Sequence, residues 1–164
     1  MTLDIHTQKG IDWLETLLRL ANLSVSVQGV IPEGAWVEAD NRWLTIPAHH
    51  LTPTQIQILI GQDGEVIDAI QYLASALLNL GQPHGERVAY TIELDGYRLG
   101  RQQELRAIAE ESAAKARSSG KEVEIRSLSS AERRQVHSFL QECSDLETFS
   151  RGNEPDRRLI VKPL

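Results

Sequence analysis

Two short constellations in this 164-residue chain are suited to gripping an anion. The first is Gly61-Gln62-Asp63-Gly64. Glycine has no Cβ, so a loop with two of them can bring backbone N–H groups and a following helix N-terminus against a phosphate. The second is Arg133, with Arg134 beside it and His137 four positions on. On a helix Arg133 and His137 share one face, at the margin of the apolar stripe, while Arg134 turns toward solvent. A guanidinium offers a planar fork of donors to phosphate, and an imidazole can donate to phosphate or stack on a base. Taken singly, most G-x-x-G pairs are tight turns and most Arg-x-x-x-His pairs are surface or packing residues.

The elements that must position these residues can be read locally. Thr52-Pro53-Thr54-Gln55 combines a capping threonine, proline at the first helical position and glutamine at the third, which predicts a short helix running to the glycine loop. After the loop, Val66, Ile70, Leu73 and Leu77, with Ile67, Ala74 and Leu78 beside them, predict an amphipathic helix with a broad buried face. Val88, Tyr90, Ile92 and Leu94 alternate with polar neighbours as a strand does and stop at Asp95-Gly96. Upstream, residues 10–22 read as a helix, residues 23–30 as a half-buried strand, and residues 35–47 as one or two strands.

Residues 98–119 read as a long helix whose inner face carries Leu105, Ile108, Ala109 and Ala116. Val123 and Ile125 suggest a short strand. Ser129-x-x-Glu132 is a capping box for the helix carrying Arg133 and His137, with Val136, Phe139, Leu140 and Cys143 on its inner side. Residues 146–151 and 157–161 around a Gly152–Asp156 turn form a closing hairpin. The candidates Arg126, Arg133, Arg134, Arg151, Arg157, Arg158 and Lys162 then lie on that helix or the strands beside it.

Composition narrows the chemistry. The net charge is −6, but its distribution is uneven. Up to Tyr97 there are four Lys/Arg against twelve Asp/Glu, and from Arg98 onward thirteen against eleven. A polyanion therefore prefers the second half. The single Cys143 excludes an internal disulfide and a multi-cysteine zinc site. No run of apolar residues is long enough for a membrane span, and the expected location is the cytoplasm.

Other residues read more plainly. Trp13, Trp36 and Trp43 are expected to pack in or at the edge of the core, and Tyr72 and Tyr97 between sheet and helix. His49-His50 lacks the Cys or carboxylate spacing of a metal site. No catalytic nucleophile motif or phosphate loop ending in Lys-Ser/Thr is present, so no enzyme activity, metal or cofactor is expected.

Three stretches together carry a family likeness: Ile60-Gly61 through Asp68-Ala69-Ile70-Gln71-Tyr72-Leu73; Asp95-Gly96-Tyr97-Arg98; and Ser130-Ala131-Glu132-Arg133-Arg134-Gln135-Val136-His137 followed by Asn153-Glu154-Pro155-Asp156-Arg157-Arg158-Leu159-Ile160-Val161. They resemble the Jag (SpoIIIJ-associated) family of bacterial RNA-binding proteins, which join a KH domain to an R-three-H (Arg-x-x-x-His) domain. The resemblance implies an α/β (α+β) chain with a type II KH domain over residues 1–97 and a small R-three-H α/β domain over 98–164. It also implies binding of single-stranded RNA, a role in post-transcriptional regulation linked to cell shape or envelope, and a small single-KH protein or a second copy as partner. Arg133, His137, Arg134, Arg157, Arg158, Arg126 and Arg151, with Gly61, Gln62, Asp63 and Gly64, become the candidate RNA contacts.

The chain departs from the family pattern at two of these places. The loop between the glycines is usually basic where a KH domain binds RNA, yet here it is Gln62-Asp63, followed by Glu65. A carboxylate there repels a phosphate and can itself face the helix N-terminus. Ala131 stands where the family commonly has tyrosine. RNA binding is therefore expected to rest on the second half. The alternative is an adaptor whose acidic first half docks a protein and binds RNA only weakly.

Overall fold

A computed structural model of the chain describes residues 4–38 and 40–164. The chain divides into two compact units, Met1–Gly100 and Arg101–Leu164, both mixing helices and strands.

The first unit opens with α1, Ile5–Leu20. Asp4 caps it, Oδ1 accepting from the N–H groups of His6 (3.1 Å) and Thr7 (3.3 Å). Ile11, Leu14 and Leu18 recur at helical spacing and are buried, and Gly10 lets the helix approach Tyr90 and Leu44 closely. Strand β1 (Asn41–Ile46) pairs in parallel with β2 (Ala89–Leu94), Asn41 opposite Ala89 and Ile46 opposite Leu94. A parallel pair needs a crossover, and helices α2 (Pro53–Ile60) and α3 (Glu65–Leu78) supply it. Leu44, Ile46, Tyr90, Ile92 and Leu94 point into a core shared with α1, Leu59 of α2, and Ile67 and Ala74 of α3. Each large side chain fully buried there contributes about 1.5–3 kcal/mol from removal of apolar surface from water.

The second unit contains all but the first turn of α4 (Tyr97–Ser119), then β3 (Val123–Ile125), α5 (Ser130–Leu140), β4 (Leu146–Arg151) and β5 (Arg158–Pro163). Its antiparallel sheet has the order β3-β5-β4. Leu105, Ala109, Ala113 and Ala116 of α4, Val136 and Leu140 of α5, and Leu159 and Val161 of β5 form its core. Both capping boxes are present: Thr52 Oγ1 accepts from Gln55 N while Gln55 reaches back to Thr52 N, and Ser129 and Glu132 do the same for α5.

Several expectations are corrected. Residues 23–30 show the buried alternation of a strand at Val25 and Val27, but their pairing is one bridge, Gln28 to Thr45. The backbone N–H of Val27 goes instead to Glu15 Oε1 (2.9 Å). Residues 35–47, read as one or two strands, hold one among the described residues. The broad inner face expected of α3 is narrower: Val66, Leu73 and Leu77 are 40%, 44% and 52% exposed. Tyr72, expected to be packed, is 72% exposed. Among the described residues no helix is long and apolar enough to cross a membrane, and no group of His, Cys, Asp and Glu could hold a metal ion.

Candidate nucleic-acid interface

The glycine loop closes α2 and opens α3. Gly61 and Gly64 have φ of +75° and +82°, and Asp63 between them has φ +52°. The positive φ values account for the glycines without any ligand. Packing demands them as well. A Cβ on Gly61 would lie 2.5 Å from Val66 Cγ2, and one on Gly64 would lie 1.8 Å from the Tyr97 hydroxyl oxygen. Tyr97 Oη donates to the Asp63 carbonyl at 3.2 Å. Next to it, Arg98 pairs with Asp68 in the first turn of α3 (2.6 Å) and donates through Nε to the Ile92 carbonyl (3.1 Å). Glu65 and Asp68 both stand in that first turn, where carboxylates suit the helix dipole and compete with an incoming phosphate. Gln62 and Asp63 are exposed, so the loop presents an acid to solvent.

Arg133 lies buried in the second unit. Its side chain is 5% exposed. One terminal nitrogen, Nη1, donates to the Leu128 carbonyl (2.7 Å) and the Arg157 carbonyl (3.3 Å), and Nη2 is hydrogen-bonded to Glu154 Oε1. A planar fork satisfied on several sides by carbonyls and a carboxylate is anchored. Its expected place at the margin of the apolar stripe is corrected: it is buried on the same side of α5 as Val136 and Leu140, and its guanidinium is held by Glu154 and the Arg157 carbonyl. His137 is half-buried. Gln141 Nε2 approaches its Nε2 at 3.1 Å, and Nδ1 shares a hydrogen bond with Thr148 Oγ1 on β4. The two residues thus meet different parts of the second unit.

Other basic groups of the second unit stand on α5 and on or beside the strands. Arg134 faces solvent on α5. Arg158 bridges Glu124 (2.9 Å) and Asp156 (2.6 Å), Arg126 pairs with Glu124 (2.8 Å), and Arg151 with Glu122 (3.0 Å). Arg151 also stands 5.3 Å over the Phe149 ring. Arg157 is exposed, and no ion pair to it is found among the described residues. Hydrogen bonds from Arg126 and then Arg158 lower the Glu124 pKa, and those from Arg158 lower that of Asp156. Such surface pairs are weak and screened by salt, so a phosphate can displace the carboxylates.

Sequence reasoning found the arginines but missed what holds them: Glu122, Glu124, Glu154 and Asp156, and Tyr97 on the glycine loop. The Asp95-Gly96-Tyr97-Arg98 turn was a visible signal, but it did not reveal that the ring ends at Gly64.

Residues 103–163 match the R-three-H domain family, so the second unit of this α+β chain is built on an R-three-H domain. Relatives over a longer stretch include the RNA-binding protein KhpB of Lactiplantibacillus plantarum, 32% identical over 126 residues, covering 76% of this chain and 37% of that protein. The protein of the same name from Clostridium symbiosum is 27% identical over 153 residues (93% and 64%), and that of Bacillus subtilis 26% over 115 (69% and 54%). The chain thus spans less than two thirds of each relative. These relatives and the R-three-H match agree with the resemblance to the Jag family.

Proposed function

We propose that this chain binds single-stranded RNA through the exposed basic side chains of its R-three-H domain. The observation that carries this reading is the set Arg126, Arg151 and Arg158, ion-paired only with surface carboxylates, together with the exposed Arg157, in a domain of the R-three-H family. The names of the relatives support RNA as the nucleic acid. We read the first unit as a type II KH domain, because two parallel strands flank a pair of helices joined by G-x-x-G. Its loop is acidic and internally packed, so it adds little to the grip on phosphate. The role is binding rather than catalysis. Ultraviolet crosslinking of the full chain to bound RNA tests this division: crosslinked peptides are expected from residues 126–158, and crosslinks confined to residues 60–72 would contradict it.

A second reading, compatible with the first, concerns α3. Val66, Leu73 and Leu77 on the helix, and Leu80 just beyond its end, are exposed and recur near heptad spacing, with no basic residue on the helix. This stripe supports a protein partner on the first unit, either a small single-KH protein or a second copy.

A further inference from the structure

We propose that Arg133 acts on RNA only through Arg157: it is a positioning residue that fixes the Gly152–Arg157 turn and touches no phosphate itself. The inference rests on the reading of the R-three-H domain as the RNA-binding unit. The guanidinium of Arg133 ties together two segments that are far apart in sequence: the start of α5, through the Leu128 carbonyl, and the turn between β4 and β5, through the Glu154 carboxylate and the Arg157 carbonyl. The turn is tight in its own right. Gly152 has φ +90°, and the Asp156 N–H donates to the Asn153 carbonyl at 3.0 Å.

A phosphate seeking Arg133 would have to displace Glu154 and uncover a side chain that is 5% exposed. It would also strand two backbone carbonyls now receiving charge-assisted hydrogen bonds. Arg157 needs none of this. Its side chain is exposed while its own carbonyl is the group that Arg133 holds. Anchoring that peptide unit limits where the Arg157 guanidinium can reach, and a preformed donor loses less freedom on meeting a phosphate.

The test is a binding cycle on the full chain, read by fluorescence anisotropy with a labelled single-stranded oligouridylate. Arg157→Ala should weaken binding by roughly tenfold, the scale of one charge-assisted contact. Arg133→Ala should weaken it by a similar factor, and Arg133→Lys, which keeps the charge but not the fork, should do the same. In the Arg157→Ala background, Arg133→Ala should cost nothing more, because the effects of a residue and its positioner do not multiply. Multiplying effects, or an Arg133→Lys variant that binds like the parent, would overturn the proposal by making Arg133 a contact of its own. Amide exchange at residues 153–157, measured without RNA, should accelerate in both Arg133 variants, and protection unchanged from the parent would also overturn it. If Arg133→Ala does not fold, the lysine variant carries the same cycle. A parent that binds no RNA while its turn loosens in the variants would show that the functional reading, and not the structural anchor, had failed.

Discussion

The Tyr97 hydroxyl oxygen lies 3.2 Å from the Asp63 carbonyl and occupies the space a Cβ on Gly64 would need. A signature usually associated with room for a ligand is thus also explained by an aromatic side chain of the same unit. Gly64→Ala combines a positive φ with this collision, and should destabilise the first unit by about 2–4 kcal/mol. Tyr97→Phe should cost only about 0.5–1.5 kcal/mol, one hydrogen bond. Tyr97→Leu should remove part of the Gly64→Ala penalty. All three tryptophans lie between residues 13 and 43, so their fluorescence during urea unfolding follows this unit. Additive penalties for Gly64→Ala and Tyr97→Leu would show that the two do not meet.

The charge of the loop is a separate matter from its shape. A phosphate within a few ångströms of Asp63 meets repulsion on the order of 3–4 kcal/mol at an effective dielectric near 20, much reduced by exposure and salt. The helix terminus offers only about 0.3–1 kcal/mol in return. Replacing Gln62 and Asp63 with lysine should raise RNA affinity at low salt. Because Asp63 has φ +52°, Gln62→Lys with Asp63→Asn is the less strained route. The gain should be several-fold at about 20 mM salt and fade above about 0.3 M as screening shortens. An affinity unchanged at low salt would mean that RNA does not pass near this loop.

Asp4 provides a pH prediction. Burial opposes its charged form, but hydrogen bonds from Thr7 and Arg42 outweigh that and lower its pKa from 3.8 to about 2. A carboxyl whose folded pKa is depressed stabilises the fold above its unfolded pKa and ceases to do so as pH falls through the folded one. Asparagine also caps helices well, so Asp4→Asn removes mainly the charge. The variant should be less stable than the parent at pH 7, and the difference should shrink between about pH 4 and 2. Unfolding curves across that range check this, and a difference independent of pH would contradict it.

Leu73→Glu and Leu77→Glu probe the stripe on α3. Both side chains are about half exposed, so the fold should tolerate the changes within about 1 kcal/mol. Sedimentation of the parent, alone and mixed with a small single-KH protein, should show a complex that the double variant loses. A parent that remains monomeric in both experiments would contradict the second reading.

How much was legible depends on how far a feature's causes are spread along the chain. Both capping boxes and the strand ending at Leu94 rest on residues within a few positions, and they read correctly. The face of α3 did not. Apolar residues occur on both sides of that helix, and periodicity cannot say which side meets the sheet. The alternation of Val25 and Val27 correctly marked burial, but ladder pairing depends on a neighbour that the sequence does not specify. The environment of Arg133 was hidden for the same reason: its acceptors at Glu154 and Arg157 lie 21 and 24 residues away. The R-three-H pattern was readable, whereas the difference between an arginine that faces solvent and one that anchors a turn was not.

The account stands most directly on the salt dependence of RNA binding by the full chain. Two or three phosphates contacted on a single strand give a slope of log affinity against log salt of about −1.4 to −2.1. An Arg157→Ala, Arg158→Ala double variant that folds normally should bind more than tenfold more weakly, with a slope about 1.4 shallower. The same variant binding with the parent's affinity and slope would contradict the claim that the R-three-H domain holds the RNA.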